Sequence, residues 1–233
     1  MRKFTLMELL IVVAIIGILV SLLLPSLQGA RDKAKDAVCL SNQRQIGVMM
    51  STYTIQQDGI FPSHRLDMVS SWIELIDPNP AENLYICPRV SKWTYSNGSQ
   101  VTPDASTKEN RLHLTSYGYN AWWLGYYVYT NHPTGKNYLR MTEIDSPSDV
   151  IMTADSRPII VNGNYWWGTT LWYIFRRKGP DQNEGVHSFH GNKQKNSNIL
   201  FTDGHVKSRL GAPINFDSNF DYLWNPRPDD WNY

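Results

Sequence analysis

The sequence has almost no excess charge and very little cysteine. Its 233 residues include 22 lysines and arginines against 21 aspartates and glutamates, a formal net charge of +1. So small an excess of positive charge creates no electrostatic field that would attract a polyanion. We therefore expect no nucleic-acid partner. Two cysteines are too few for a miniprotein held together by disulfides. The sequence also lacks a Gly-rich phosphate loop, a nucleophile elbow and an HExxH motif, so we expect no enzyme and no catalytic residues.

One segment near the amino terminus is long and apolar. Residues 9–24 contain a single serine and no charge. Counted from Phe4, the run has 21 residues up to Leu24, which is about 31 Å of helix and matches the hydrocarbon core of a bilayer. The rest of the chain has the composition of a water-soluble domain, and its aromatic content of 12% argues against disorder. We therefore expect one membrane span followed by a folded domain.

The apolar segment differs from a cleaved signal peptide and from a plain anchor. Leu27-Gln28-Gly29-Ala30 fits a signal-peptidase site poorly, because Gln28 takes a position that requires a small residue. Glu8 lies inside the run, where an ionised carboxylate is costly unless it reaches water or finds a partner. Two interpretations of Glu8 stay open on this basis: its carboxylate reaches the nearby interface, or it pairs with a cation.

Residues 2–27, RKFTLMELLIVVAIIGILVSLLLPSL, resemble the amino-terminal segment of type IV pilins and type II secretion pseudopilins. The resemblance implies that a prepilin peptidase cuts between Lys3 and Phe4 and methylates the new amine. Glu8 then becomes the fifth mature residue, and it is implied to pair with the amino terminus of a neighbouring subunit in a filament. The family usually has Gly before the cut, where this chain has Lys3. Pro25 is implied to kink the helix; the alternative is a helix terminator at the membrane exit.

The resemblance also implies how the chain is organised. Its four parts are a leader (1–3), a transmembrane and filament-core helix (4–25), an amphipathic continuation of that helix (26–57) and an exported α+β head (58–233). Basic residues lie on both sides of the span, so charge alone does not set the orientation. The family implies a single pass through the inner membrane, with a cytosolic amino terminus and a periplasmic or extracellular head. Its implied partners are the prepilin peptidase, other pilin or pseudopilin subunits and the inner-membrane assembly platform.

The segment after the span is expected to remain helical. Residues 31–57 contain no proline and one glycine, and the stop signals Asp58-Gly59 and Pro62 follow. An apolar stripe runs along this segment and consists of Val38, Ile46, Met49, Met50 and Tyr53. Asn42 interrupts the stripe. We expect the stripe to pack on the chain's own sheet and not on a partner.

Cys39 on this helix and Cys87 in Tyr-Ile-Cys-Pro are the only cysteines. Disulfides persist in exported domains, so a Cys39–Cys87 bridge is one expectation, worth about 3–4 kcal/mol by the chain-entropy argument. Two buried, unpaired thiols are the alternative.

The carboxyl-terminal part reads as an antiparallel sheet. Short β-branched and aromatic runs between turn residues predict strands at 149–155, 158–162, 165–175, 198–202 and 205–210. Residues 96–111 are polar and contain Gly and Pro, so they are expected to form a surface loop. The predicted fold class is α+β, with a long amino-terminal helix packed on an antiparallel head.

Residues 198–207 resemble the carboxyl-terminal motif of a large class of pilin-like proteins, in which a His precedes Asp-Gly by nine residues. Here twelve residues separate His190 from Asp203-Gly204. Ser116 to Asn120 and Asp155 also look like that class. A structural explanation for Asp203-Gly204 is a two-residue hairpin turn with positive φ at both positions.

Other ligand sites are less supported by the sequence. The candidate metal ligands are His187, His190, Asp203 and His205, but their spacing matches no strong zinc signature. Calcium is a second possibility, at the acidic residues Asp217, Asp221, Asp229 and Asp230, without EF-hand spacing. We expect no cofactor. Tryptophans that could stack on sugars are Trp122, Trp123, Trp166, Trp167, Trp172, Trp224 and Trp231.

Taken together, these features predict a pilin-like or pseudopilin structural subunit that is cleaved, methylated and assembled into a type IV pilus-like or type II secretion filament. The alternative is an uncleaved, membrane-anchored protein that binds carbohydrate through exposed aromatic residues. That alternative explains the tryptophans and leaves Glu8 without a role.

Overall fold

In a computed structural model of the chain, the structure describes residues 5–63, 71–94, 100–120, 124–125, 139–156, 160–161, 164–165, 190 and 196–210. These residues form an α+β fold, in agreement with the sequence. A long amino-terminal helix packs against a carboxyl-terminal, four-stranded antiparallel sheet.

The long helix, α1, runs without a break over Leu6–Gln56, 51 residues. Pro25 lies inside α1, so the interpretation of this proline as a helix terminator is wrong. The chain leaves the helix where Asp58 and Gly59 have φ values of 52° and 84°, the left-handed region that Gly adopts at low cost. The Gly59 N–H donates to the Thr54 carbonyl oxygen at 2.8 Å, which closes the last turn.

The central sheet has the strand order β3-β4-β7-β8, and all its pairs are antiparallel. Its strands are β3 (Tyr117–Tyr119), β4 (Ile151–Asp155), β7 (Asn196–Phe201) and β8 (Val206–Leu210). β4 is buried along its whole length, as expected for an inner strand covered on both faces. Asp155 lies opposite Tyr117 in the β3–β4 pair, and Ala154 lies opposite Ile199 in the β4–β7 pair.

The carboxyl-terminal half of α1 packs on this sheet through one face. The residues of that face recur every three or four positions, as a buried helical stripe requires, and they are Cys39, Asn42, Gln43, Ile46, Gly47, Met50 and Thr54. The expected stripe is wrong at Val38, which is 48% exposed. Asn42 is also buried and does not interrupt the face, because its amide donates to the Asn83 carbonyl oxygen at 3.1 Å. Packing on the chain's own sheet is as predicted.

Smaller elements complete the head. They are α2 (Trp72–Ile76), β1 (Trp93–Thr94), β2 (Gln100–Val101), α3 (Lys108–His113), β5 (Ile160–Val161), β6 (Asn164–Tyr165) and two 3-10 turns, Glu82–Leu84 and Met141–Glu143. β1 pairs with β2 and β5 with β6, both antiparallel. Trp72 and Ile73 of α2 enter the main core with Ile46 and Met50 of α1.

The expectation of a plain surface loop at 96–111 is partly wrong. This stretch contains β2 and the start of α3, whose first turn is capped by the Thr107 hydroxyl. Arg111 of α3 is buried, and its Nε lies 2.6 Å from Glu74 Oε1 on α2. Composition did not reveal this anchor, because a buried ion pair between distant segments leaves no local pattern.

Candidate functional site

The first turn of α1 is held by a reciprocal cap between Thr5 and Glu8. The Thr5 hydroxyl accepts from the Glu8 N–H at 3.3 Å, while the Thr5 N–H and hydroxyl both donate to Glu8 Oε2 at 2.8 Å. This is a capping box, which satisfies two backbone donors at a helix start. The Thr-x-x-Glu signature of a capping box is present in the sequence, but this second role of Glu8 was not recognised from it. No hydrogen bond to the other oxygen, Oε1, occurs among the residues that the structure describes.

The amino-terminal half of α1 presents its apolar side chains to the exterior. Every residue from 6 to 31 is exposed, and the 18-residue window of highest hydropathy has a mean hydropathy of 2.9 with none of it buried. By length and composition this helix is able to cross a membrane, which fits a single-pass membrane protein. Glu8 and Pro25 both lie in this exposed half.

The other half of α1 is attached covalently to the head. Cys39 and Cys87 form a disulfide, with their Cα atoms 5.4 Å apart and 48 residues of sequence between them. Both cysteines are fully buried. The bridge ties the middle of α1 to the segment that follows the first 3-10 turn.

Beside the disulfide lies an ionic cluster made of Asp32, Asp36, Arg89, Asp155 and His190. The His190 Nδ1–H donates to Asp36 Oδ1 on α1 at 2.7 Å, and its Nε2 lies 3.1 Å from Asp155 Oδ2 on β4. His190 is 2% exposed and Asp155 is fully buried. A single imidazole thus connects the long helix with an inner strand of the sheet.

Both ring nitrogens of His190 face carboxylate oxygens, which only accept hydrogen bonds when ionised. Burial alone lowers the pKa of His190, but the hydrogen bonds and negative charges of Asp155 and Asp36 outweigh it, and the net pKa is raised. Burial raises the pKa of Asp155, against the opposing effects of His190, the Asn198 N–H and Gln43. The Asn198 N–H and His190 Nε2 both lie against Asp155 Oδ2, so the geometry fits an imidazolium held between the carboxyl groups of Asp36 and Asp155.

Arg89 supplies the second cation of the ionic cluster. Its Nη1 lies 2.6 Å from Asp32 Oδ1 and its Nε lies 3.1 Å from Asp36 Oδ1. Arg89 follows Cys87 by two residues, so the segment that carries the disulfide also neutralises the acids of α1. Sequence reasoning missed Asp32, Asp36 and Arg89, because their charges look like an ordinary solvated helix face until the head is folded against them.

About two helical turns beyond Asp36, Gln43 makes a second polar connection between α1 and the sheet. Its Oε1 accepts from the Thr153 hydroxyl on β4 at 2.8 Å, and its Nε2 donates to the Asn198 carbonyl oxygen on β7 at 3.4 Å. Gln43 is fully buried. Gln43 directly, and Asp36 through His190, therefore connect α1 to the strands β4 and β7 at two levels of the helix, and polar contacts of this kind specify register.

The two halves of the carboxyl-terminal motif lie at opposite ends of β7. The His190 backbone pairs with Asn196, the first residue of β7, through two hydrogen bonds of 3.0 Å. β7 ends at Phe201, two residues before Asp203. At the usual rise per residue, this end of the strand is about 17 Å from Asn196. His190 and Asp203-Gly204 therefore contribute to different contacts and do not form one site.

The turn at Asp203-Gly204 differs from the two-residue turn that was expected. Only Gly204 has a positive φ, 89°. The Phe201 N–H donates to the His205 carbonyl oxygen, and the Gly204 N–H donates to the Phe201 carbonyl oxygen. Three residues thus close the hairpin, with Gly at the left-handed position that such loops require.

Gly47 allows α1 to approach this end of β7. A Cβ placed on Gly47 would lie 2.9 Å from Leu200 Cδ1 and 3.8 Å from the Gly204 carbonyl oxygen. A larger residue would force the helix and strand apart. Gly47 was the one glycine in the predicted helical segment, and its role in close packing was not recognised from the sequence.

The candidate metal ligands do not come together. Asp203 Oδ1 pairs with His205 Nδ1 at 2.6 Å at the far end of β7 from His190, and His187 lies outside the described residues. The described residues bring together a different set, Cys39, Cys87 and His190, whose ligand atoms lie within 4.8 Å of one another.

Several other predictions fall outside the described residues. They concern the processing site Lys3 and Phe4, the acidic residues proposed for calcium (Asp217, Asp221, Asp229 and Asp230), and the tryptophans Trp122, Trp123, Trp166, Trp167, Trp172, Trp224 and Trp231.

Comparison of the chain with models of protein families, with curated proteins and with solved structures finds no match.

Proposed function

We propose that this protein is a pilin-like structural subunit, whose exposed amino-terminal helix lies in the membrane before assembly and in the core of a filament afterwards. The observation that carries this proposal is the division of α1 into two halves. Residues 6–31 contact no part of the head closely enough to be buried, and at about 1.5 Å per residue they extend about 39 Å. Within residues 39–54, one face of the helix is buried against the head.

An apolar rod of this length needs an apolar environment. Its exposed side chains include Leu6 at 83%, Leu22 at 71% and Leu23 at 63%, and patches of this size are unstable in water. A bilayer covers them in the single subunit. A bundle of the same helices from neighbouring subunits covers them equally well, because both surroundings remove the apolar surface from water.

The attachment of α1 to the head supports a mechanical role. The disulfide, the ionic cluster and Gln43 all join the helix to the same face of the head, within residues 32–43 of α1. Pulling on the exposed half of the helix therefore loads several connections together. A subunit that is extracted from a membrane into a filament needs such a joint, whereas a passive anchor does not.

Glu8 supplies the assembly contact in this proposal. Oε2 caps the subunit's own helix, and Oε1 has no hydrogen bond among the described residues, so one oxygen remains for the amine of a neighbouring subunit. After cleavage between Lys3 and Phe4, that amine lies one residue before the cap. An amine and a carboxylate attract strongly in low dielectric, and either one alone is costly there.

The proposal includes the orientation and partners that the family resemblance implies. The amino terminus faces the cytosol, where the prepilin peptidase acts, and the head is exported, where the disulfide persists. The inner-membrane assembly platform then adds subunits to the filament. The ionic cluster contributes to the stability of the head by joining α1 to it.

A pair of variants separates the two roles of Glu8. Glu8→Gln keeps a capping box, since glutamine also serves at this position, but it removes the charge. Thr5→Ala removes the hydroxyl half of the capping box, leaves the backbone N–H half and keeps the charge. In cells that carry either variant, we expect Glu8→Gln to insert in the membrane and to be missing from sheared filaments, and Thr5→Ala to be incorporated.

Membrane fractionation and immunoblotting of the sheared filaments measure both outcomes. Incorporation of Glu8→Gln at the parental level would contradict the role of the charge in assembly. Loss of Thr5→Ala alone would show that capping, and not pairing with a neighbour, is the function of Glu8.

A further inference from the structure

The disulfide and the central histidine of the ionic cluster form a compact group of potential metal ligands. Cys39 lies on α1, and Cys87 lies in the segment after the first 3-10 turn. His190 pairs through its backbone with Asn196, the first residue of β7. The two sulfurs and a ring nitrogen lie within 4.8 Å of one another. Cys87 Sγ is 3.6 Å from His190 Nε2, and all three residues are buried.

Two thiolates and an imidazole are a ligand set that zinc prefers. Tetrahedral zinc has bonds of about 2.3 Å to sulfur and about 2.0–2.1 Å to nitrogen, which separates a bound sulfur from a bound nitrogen by about 3.5 Å. The distance between Cys87 Sγ and His190 Nε2 already has this value within 0.1–0.2 Å, roughly the tolerance that metal sites allow.

Asp36 orients the histidine for such a role. Metal-binding histidines donate their other ring N–H to a carboxylate, which fixes the ring and strengthens the ligand. Here the Nδ1–H donates to Asp36 Oδ1 at 2.7 Å, so Nε2 is the nitrogen that faces the sulfurs. Asp155 Oδ2, 3.1 Å from Nε2, offers an oxygen ligand for a fourth position.

We propose that the Cys39–Cys87 pair in its reduced form, together with His190, binds one Zn²⁺ ion, with Asp36 as the supporting carboxylate. Zinc and the disulfide are then alternative cross-links between α1 and the same segment of the head. The inference is independent of the proposed function, because it depends only on how the head is folded.

Reduction of the disulfide must precede zinc binding. A trialkylphosphine reduces the disulfide with one water molecule, which gives two thiols and the phosphine oxide. Zn²⁺ then displaces one proton from each thiol and the proton from His190 Nε2. Oxidation by a small-molecule disulfide reforms the protein disulfide: the two thiolates lose two electrons to that disulfide, which takes two protons from water and becomes two thiol groups. The zinc ion is released, and His190 Nε2 regains a proton from water.

The test measures zinc binding to the full chain in detergent. One sample stays oxidised, and the other is reduced with a trialkylphosphine that is removed without oxygen. Titration with Zn²⁺ against a chromophoric chelator is expected to show one ion per reduced chain and none per oxidised chain. Co²⁺ in place of zinc should give thiolate charge-transfer absorption only after reduction.

Variants identify the ligands. Cys39→Ser should abolish binding by the reduced chain, His190→Asn should weaken it at least tenfold, and Asp36→Asn should weaken it about 10–100-fold. His205→Asn is the matched control, since His205 lies at the far end of β7, and it should bind as the parent does.

If reduction loosens the head, resistance to a protease gives the second measurement, and Zn²⁺ should restore it in the parent and not in His190→Asn. The proposal is overturned if the reduced parent neither binds zinc stoichiometrically nor regains resistance, or if His190→Asn and the parent behave alike.

Discussion

Asp36 and His190 are 154 positions apart in the sequence and 2.7 Å apart in the structure, where the imidazole of one donates to the carboxylate of the other. This contact joins the long helix to the last part of the head. Asp155 of β4 contacts the other nitrogen of the ring. The positive charge of His190 therefore pairs with one carboxylate from the helix and one from the sheet.

Removing that charge should be costly. His190→Ala leaves the fully buried Asp155 without its cation, while Asp36 keeps Arg89, so we expect the free energy of unfolding to fall by about 3–5 kcal/mol. Chemical denaturation of the full chain in detergent measures it. His205→Ala is the control, because its ring and the Asp203 carboxylate are both partly exposed, and it should cost less than about 1 kcal/mol. Equal losses in the two variants would refute the special role of His190.

The disulfide should contribute separately. Replacing both Cys39 and Cys87 by alanine is expected to lower the free energy of unfolding by about 2–5 kcal/mol. In chelator-containing buffer, a reductant should destabilise the parent by a similar amount and leave the double variant unchanged. The expectation fails if the reductant lowers the stability of both proteins equally.

Close packing at Gly47 gives a third prediction. Gly47→Leu forces side-chain atoms into Leu200, which a Cβ alone would approach to 2.9 Å, and should cost about 1–3 kcal/mol. Gly29→Leu is matched in chemistry and lies on the same helix, but a Cβ there meets no atom within 4 Å. It should be neutral or slightly stabilising, since leucine favours helix over glycine. Thermal unfolding followed by near-ultraviolet circular dichroism distinguishes them, and a loss at both positions would argue against the close approach of α1 and β7.

The Glu74–Arg111 pair predicts a dependence on pH. Burial tends to raise the pKa of Glu74, but hydrogen bonds from Ser71 and Arg111 outweigh it, and the net pKa is lowered from 4.5. The folded chain therefore binds this proton less tightly than the unfolded chain. The resulting stabilisation is present above pH 4.5 and is lost as the pH falls through the lower, folded pKa.

Glu74→Gln tests that dependence, because glutamine retains the capping box with Ser71 and does not titrate. The slope of unfolding free energy against pH below 4.5 should be smaller in the variant than in the parent. Identical slopes would mean that Glu74 titrates equally in the folded and unfolded chains.

Much of the architecture could be predicted from sequence because its causes are local. The apolar run, the Asp58-Gly59 stop signal and the short β-branched runs each act over a few residues. Thus α1, β4, β7 and β8 were found within a few positions of their ends, and the packing of the helix on the sheet followed from the stripe around Ile46 and Met50.

The parts that sequence missed depend on contacts between distant residues. Asp36 and Arg89 are charged residues of the kind that usually lie on a solvent-exposed surface. Only the fold brings them beside His190. Val38 looked like a core residue and is 48% exposed, because the buried face of α1 contains the polar residues Asn42 and Gln43. The hairpin at Asp203-Gly204 was expected to have two residues, but the pairing of Phe201 with His205 sets a three-residue loop.

The mature amino terminus tests the central claim most directly. If the exposed half of α1 becomes a filament core, the chain in sheared filaments must have lost residues 1–3. Mass spectrometry of the amino-terminal peptide should then find N-methylated Phe4. An intact Met1 on the protein in cells that make filaments, with none of the chain in the filaments themselves, would contradict the account and leave α1 as a permanent membrane anchor.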